Sequence, residues 1–184
     1  MKLENMNPSQ IIQKYYEQDT PLYKILITHG TLVANKALEI AQMHPEMQID
    51  TGFIYEAAMV HDIGIFMTHA PEIYCVGPHP YICHGYLGSQ LMKKEGYPRH
   101  ALVCERHTGT GIRKEEILQK DYPLPHRHMY PVSLEEQLIC FADKFFSKKH
   151  LDREKSIGKI LKGLSKHGEE PVARFKEWSK LFLG

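Results

Sequence analysis

The chain lacks most features that would place it outside the ordinary globular class. No apolar stretch approaches the roughly 20 residues that a bilayer-spanning helix requires, and Met1-Lys2-Leu3-Glu4-Asn5 leads into no hydrophobic signal segment. A soluble, cytoplasmic protein without membrane contact is therefore expected. Cysteine is sparse. Cys75, Cys83, Cys104 and Cys140 stand singly with no Cys-x-x-Cys pair, which argues against a zinc ribbon or a secreted disulfide framework and for reduced thiols that fill the core. An excess of charge is also missing: Lys plus Arg total 23 and Asp plus Glu 22, a formal charge of +1. Without a strong field to recruit a polyanion, a dedicated nucleic-acid-binding module is not expected. Strand alternation is hard to find anywhere, and there are no internal repeats or low-complexity tracts.

What is present is helical periodicity, so an all-α fold is expected. Asn7-Pro8-Ser9-Gln10 signals a helix start, followed by Ile11, Ile12, Tyr15 and Tyr16 on one face. From Pro21 to Pro45 the apolar positions Leu22, Ile25, Leu26, Val33, Ala37, Ile40 and Ala41 recur every three or four residues and carry His29 near the middle. A third stripe, Ile54, Ala57, Ala58 and Ile63, stops at Gly64, which would end the helix in a left-handed cap and leave His61-Asp62 in its final turn. The segment from Thr68 to Pro80 is rich in breakers and reads as a loop. Helices are expected again over Tyr81 to Glu95 and Arg99 to His107, with an ordered, proline-bounded loop from about Gln119 to Pro131. Ser133 and Glu136 form a capping box that opens a helix ending near Asp143.

Histidine is the abundant chemistry-bearing residue, with 12 in the chain. His61-Asp62 closes the run Ala57-Ala58-Met59-Val60, and His29, His84, His107 and Asp143 flank it at wide spacings on separate predicted helices. Imidazole and carboxylate together suit Fe, Mn, Co, Ni or Zn. His29, His61, Asp62 and Asp143 would supply one ion. His84 and His107 would supply a second, with the Asp62 carboxylate bridging, at the roughly 3.5–4 Å separation of two-metal hydrolases. Taken singly, His29 reads equally well as a core histidine bonded to a carbonyl, and Asp143 as a solvated helix end.

His29, His61-Asp62 and Asp143, in this order on helices, resemble the HD superfamily of metal-dependent phosphohydrolases over roughly Leu22 to Lys148. His84-Gly85-Tyr86-Leu87-Gly88-Ser89 and Arg106-His107-Thr108-Gly109 resemble the second-metal segments of the branch that splits dinucleoside tetraphosphates symmetrically. Phe141-Ala142-Asp143-Lys144 matches the presentation of the last aspartate. The Leu124-Pro125-His126-Arg127 loop and the Leu134-Glu135-Glu136-Gln137 helix start are similar to bacterial and archaeal HD proteins of undefined activity. The resemblance implies an HD-type helical bundle with its metal site between core helices. A single domain over 1–184 is expected, with its core at about 22–148 and a C-terminal helical extension at about 151–184.

One departure is informative. Many dinuclear relatives place a phosphate-contacting lysine three residues after the His-Asp pair, where this chain has Ile65. Arg106, Arg127, Lys144 and Lys148 are the candidate replacements; Lys144 and Arg106, with Asp62, form the expected catalytic set. His126 and Arg127 in the proline-bounded loop, and His79 in the loop after the His-Asp pair, are expected to bind substrate, and His69 lies in that same loop. His44, His100, His150 and His167 read as surface residues. Lys155, Lys159, Lys162 and Lys166 read as the solvated face of a helix, and Phe175, Trp178 and Phe182 as an apolar face that packs on the domain or on a second subunit, so a homodimer is also carried.

The function expected is hydrolysis of a small phosphorylated metabolite, a nucleotide, through a dinuclear site. The alternatives are a mononuclear nucleotidase on the same fold and a non-catalytic, metal-containing module that senses a nucleotide.

Overall fold

The computed structural model describes residues 6–184; residues 1–5, on which the absence of a leader was read, lie outside the described part. Helix boundaries follow local capping chemistry. Helix α1 (Pro8–Gln13) starts where the Asn7 side chain accepts from Gln10 N, and α2 (Pro21–Met43) where Thr20 does the same for Tyr23 N, each with proline in the first turn. Asp50 caps α3 (Thr51–Val60) through Phe53 N. Then come α4 (His84–Lys94), α5 (Pro98–Arg106) and the short α6 (Lys114–Gln119). Ser133 caps α7 (Leu134–Asp143) and Ser156 caps α8 (Ile157–Leu164), with α9 (Glu169–Leu183) last. No helix among the described residues is long and apolar enough to cross a membrane.

The all-α expectation holds with one local exception. Residues Thr68–Ala70 (β1), Cys75–Val76 (β2) and His79–Pro80 (β3) form a small sheet in the order β2-β1-β3. Strands β1 and β2 are antiparallel, with Ala70 opposite Cys75, and β1 and β3 are parallel, with Thr68 opposite His79. Strands of two or three residues are too short to show the period-2 pattern on which a strand is recognised.

The larger core cluster joins α2, α3, α7, α8 and α9 through Val33, Ile40, Ile54, Ile139, Phe141, Ile160, Phe175 and Phe182. Phe141 lies between Phe175 and Phe182, at ring-centroid distances of 5.0 and 5.4 Å, so the aromatic face of α9 packs on this chain. A second cluster brings α1 against Leu26, Ile63, Met92 and Cys104. All four cysteines are buried and unpaired.

Four local expectations are corrected. Gly64 has φ −83°, which is not left-handed; its lack of a side chain is used for close approach, because a Cβ there would lie 2.2 Å from the His84 carbonyl oxygen and 2.4 Å from Gly88 N. Only half the capping box forms: Ser133 Oγ accepts from Glu136 N, while the Glu136 carboxylate takes Val132 N and Arg106. His100 is buried rather than on the surface, its Nε2 3.0 Å from Glu56 and its ring edge-on to Phe53. Lys155 precedes α8 and donates to the carbonyls of Lys144 and Phe146, so it leaves the lysine stripe.

Candidate metal centre

Five helix segments converge on one point. His29 comes from the middle of α2, His61 is the residue that ends α3, His84 opens α4, His107 ends α5 and Asp143 is the last residue of α7. The C-termini of α3, α5 and α7 therefore face the site, and the partial negative charge of helix C-termini favours a cation there. His29, His61, Asp62, His84, His107 and Asp143 are all buried. Packing fixes the helices, which is what aims six polar side chains inward from sequence positions more than a hundred residues apart.

Three of the imidazoles are oriented in the same way. His61 Nδ1 lies 2.6 Å from the Ala58 carbonyl, His84 Nδ1 2.7 Å from Tyr81 and His107 Nδ1 2.8 Å from Cys104, each three residues back. A ring that donates its Nδ1–H to a carbonyl carries a lone pair at Nε2, the form in which imidazole binds a metal. The same bonds satisfy carbonyls that a helix end or turn would leave unpaired.

Asp62 lies between two groups of these nitrogens. Its Oδ2 is 3.2 Å from His29 Nε2 and 3.1 Å from His61 Nε2, and Asp143 Oδ1 is 2.8 Å and 3.4 Å from the same two atoms. Its Oδ1 is 3.5 Å from His84 Nε2 and 3.3 Å from His107 Nε2. One ligand atom from each of His29, His61, Asp62 and Asp143 falls within a 4.8 Å group, as does one from each of Asp62, His84 and His107. His61 Nε2 and both Asp62 oxygens are buried without a hydrogen bond of acceptable geometry, and Asp62 Oδ2 has an ion pair with Lys148 in its place. Buried polar atoms without hydrogen bonds are costly, and divalent cations would engage these, so the donor set fits the ions that its chemistry suggests.

The electrostatics are those of a cation site. Burial pushes the imidazoles of His84, to about 3, and His107 down, so both are neutral at physiological pH, the form in which imidazole can bind a metal. Burial also opposes the charge on His61, but Asp62 and Asp143 outweigh it and hold that imidazole up at about 9, so a cation that binds there would displace the Nε2 proton to gain the lone pair. Against burial, Lys148 and His61 hold the Asp62 carboxyl well below the usual carboxylate range, and Lys144 and His29 do so for Asp143.

The expected cations separate into two sets. Lys144 Nζ is 2.7 Å from Asp143 Oδ2 and Lys148 Nζ is 2.6 Å from Asp62 Oδ2. Arg106 is instead on Glu136 at 2.8 Å, and Arg127 makes a two-pronged contact with Glu105 at 3.0 and 2.8 Å. His126 and His79 are exposed. Neither has a polar contact with the cluster among the described residues. His69 lines a pocket of about 360 Å³ next to it, together with Tyr81, Asp143, Lys144, Lys148 and Lys149. Tyr81 was not legible as a site residue from the sequence; it stacks on His84 with centroids 4.6 Å apart, and its place in the first turn before that histidine was the only available signal.

The HD domain family model matches residues 26–147. An uncharacterized protein of Methanocaldococcus jannaschii is 30% identical over 146 residues, covering 77% of this chain and 79% of the relative. Two archaeal proteins named tRNA (cytidine(56)-2'-O)-methyltransferase are also similar. The one from Thermoplasma volcanium is 26% identical over 80% of this chain, and the one from Picrophilus torridus 29% over 67%. The chain spans only 38% and 32% of those two proteins. Among solved structures, the HD domain of the L. monocytogenes phosphodiesterase PgpH matches with TM-score 0.57 and 17% identity, covering 94% of this chain and 88% of that one, which shows the shared fold. With the family's His-Asp pair at the meeting point of both ligand groups, this chain belongs to the HD domain family, the helical superfamily of metal-dependent phosphohydrolases.

Proposed function

We propose that the six residues hold two divalent transition-metal ions, with Asp62 shared between them, and that the protein hydrolyses a phosphate ester or anhydride of a small nucleotide. One observation carries this reading: the two oxygens of Asp62 face different histidine pairs, His29 with His61 and His84 with His107. A single carboxylate between two imidazole pairs is what a shared ligand requires. Bound there, the paired cations would acidify a water molecule and neutralise charge that builds on a phosphoryl group.

The chain's own residues do the rest. The carbonyls of Ala58, Tyr81 and Cys104 fix three ring orientations, and Gly64 lets α3 and α4 approach closely enough for His84 to reach Asp62. Lys144 and Lys148 bring positive charge to the edge of the cluster. We take Asp62, Lys144 and Lys148 as the groups that act on substrate. Arg106 and Arg127, engaged with Glu136 and Glu105, are assigned to stability. A nucleotide substrate follows from the resemblance of the His84 and His107 segments to the branch that splits dinucleoside tetraphosphates.

The test is metal analysis of protein purified without chelator, followed by phosphate release from a panel of nucleoside mono-, di- and triphosphates and dinucleoside polyphosphates. About two equivalents of metal and chelator-sensitive hydrolysis of at least one nucleotide are expected. Less than one equivalent under metal-replete conditions contradicts the reading. Tight nucleotide binding without turnover across Mn, Fe, Co, Mg and Zn would favour a sensing module, the alternative suggested by Ile65.

A further inference from the structure

Position 65 cannot supply a phosphate ligand: Ile65 is fully buried, in the core cluster with Ile63, Met92 and Cys104. Four candidate cations were legible in the sequence, and the structure separates them. The two arginines are held by glutamates, whereas Lys144 and Lys148 stand four residues apart after the end of α7 and turn to the cluster. Their direction is fixed by what lies between them. Phe145 and Phe146 are buried in the main core, and this anchors the turn with the two lysines on its other side.

Lys148 is the more informative of the pair. Its side chain is 14% exposed, its ammonium is on Asp62 Oδ2, and it lies 5.9 Å from the centre of the Tyr81 ring. The same oxygen faces His29 and His61, so it is also the one that a divalent ion in that group would take. An ammonium and a divalent cation repel strongly over a few ångströms of partly desolvated protein. With that oxygen coordinated, the Lys148 ammonium needs another anion. The open space beside it is the pocket of about 360 Å³ that it lines with Lys144, Lys149, Lys155, His69 and Tyr81. Four lysines line it beside only two carboxylates, Asp143 and Glu72, of which Glu72 is taken by Lys149 at 2.8 Å. The volume is at the small end of ligand sites, roughly 300–1,000 Å³, which suits a small phosphorylated molecule rather than a polymer.

Resting on the metal reading above, we propose that Lys148 is the substrate-phosphate ligand of this protein. It takes the role that Ile65 cannot fill, and the lysine-lined pocket is the seat of the phosphorylated group. Lys148 pairs with Asp62 when that oxygen is free of metal and turns to the phosphate when it is not.

The experiment is calorimetric titration of inorganic phosphate into metal-loaded wild type, Lys148→Met and Lys148→Arg, with metal content measured on the same samples. The inference predicts that Lys148→Met keeps its metal and loses at least tenfold in phosphate affinity, and that Lys148→Arg restores most of it. A metal-loaded Lys148→Met that binds phosphate as tightly as wild type overturns the inference and leaves the metal reading standing. Wild type that holds no metal overturns both. Far-ultraviolet circular dichroism checks that the variants fold, and Lys162→Met, which removes an exposed lysine of α8 outside the pocket, should change phosphate affinity by less than threefold; an equal loss in both variants would reduce Lys148 to one of several nonspecific charges and overturn its assignment.

Discussion

His84 Nε2 lies 3.1 Å from His107 Nε2, and neither nitrogen can donate to the other, because each ring gives its Nδ1–H to a backbone carbonyl. Two lone pairs facing each other repel, and Asp62 Oδ1 adds negative charge at 3.5 and 3.3 Å from them. On the two-metal reading proposed above, a cation beside them relieves that mismatch. Metal that binds only the folded chain stabilises it by about 2.7 kcal/mol at a hundredfold excess over Kd. For a domain of this size that is on the order of 5–10 °C in Tm. Differential scanning calorimetry with and without chelator checks this, and an unchanged Tm after verified metal removal would contradict it.

Gly64→Ala should damage the site through the backbone. The added Cβ would meet the His84 carbonyl oxygen at 2.2 Å and Gly88 N at 2.4 Å, and neither is the end of a flexible side chain. Overpacking of this kind costs about 1–3 kcal/mol or more. Since His84 opens α4 at that contact, metal at the His84 and His107 pair should weaken before metal at the His29 pair. Urea unfolding and metal titration of the variant report the two effects separately.

Arg127→Ala should act on stability, and its effect should depend on pH. Glu105 is 5% exposed; burial pushes its pKa up, but Arg127 and Lys93, with a bond from Ser89, outweigh burial and hold it below the ordinary value. A carboxyl with a depressed folded pKa contributes stability that is present above its unfolded value of about 4.3 and is lost as pH falls through the folded pKa. Removing Arg127 removes a main cause of the depression, so the gap between wild type and variant is widest near neutral pH and narrows on acidification below about pH 4. Urea midpoints at pH 7 and pH 3.5 check the sign.

Phe175→Ala should release α9 from the domain. Phe175 is fully buried against Phe141, and large-to-small changes of this type cost about 3–5 kcal/mol. Trp178 is the only tryptophan in the chain and is buried on the same helix, so its fluorescence follows the docking of α9 directly. A red-shifted emission maximum at lower urea concentration than in wild type is expected.

Much of the site was legible because metal ligands are few in kind and His61-Asp62 sits at the end of a conspicuous apolar run. The six candidate ligands needed only helical spacing to be placed on separate elements, and the structure brings all six together. The cations were harder. Arg106 and Lys144 are both sequence neighbours of a ligand, yet a helical turn sends Arg106 to Glu136 and Lys144 to Asp143. Which glutamate captures which arginine is a tertiary fact: Glu105 is 22 residues from Arg127, and Glu136 is 30 from Arg106. His100 reads as a surface residue because Pro98 and Arg99 precede it, while its burial is set by Glu56 and Phe53 on α3. The sheet at Thr68–Pro80 is held by backbone pairing, which leaves little trace in side-chain pattern.

The central claim is that Asp62 serves two ions through its two oxygens, and metal stoichiometry in His84→Ala and His107→Ala tests it most directly. The account predicts about two equivalents in wild type and about one in each variant, the remaining ion being held by His29, His61, Asp62 and Asp143. Wild type with a single equivalent under metal-replete conditions, or variants that retain the full wild-type complement, would contradict it.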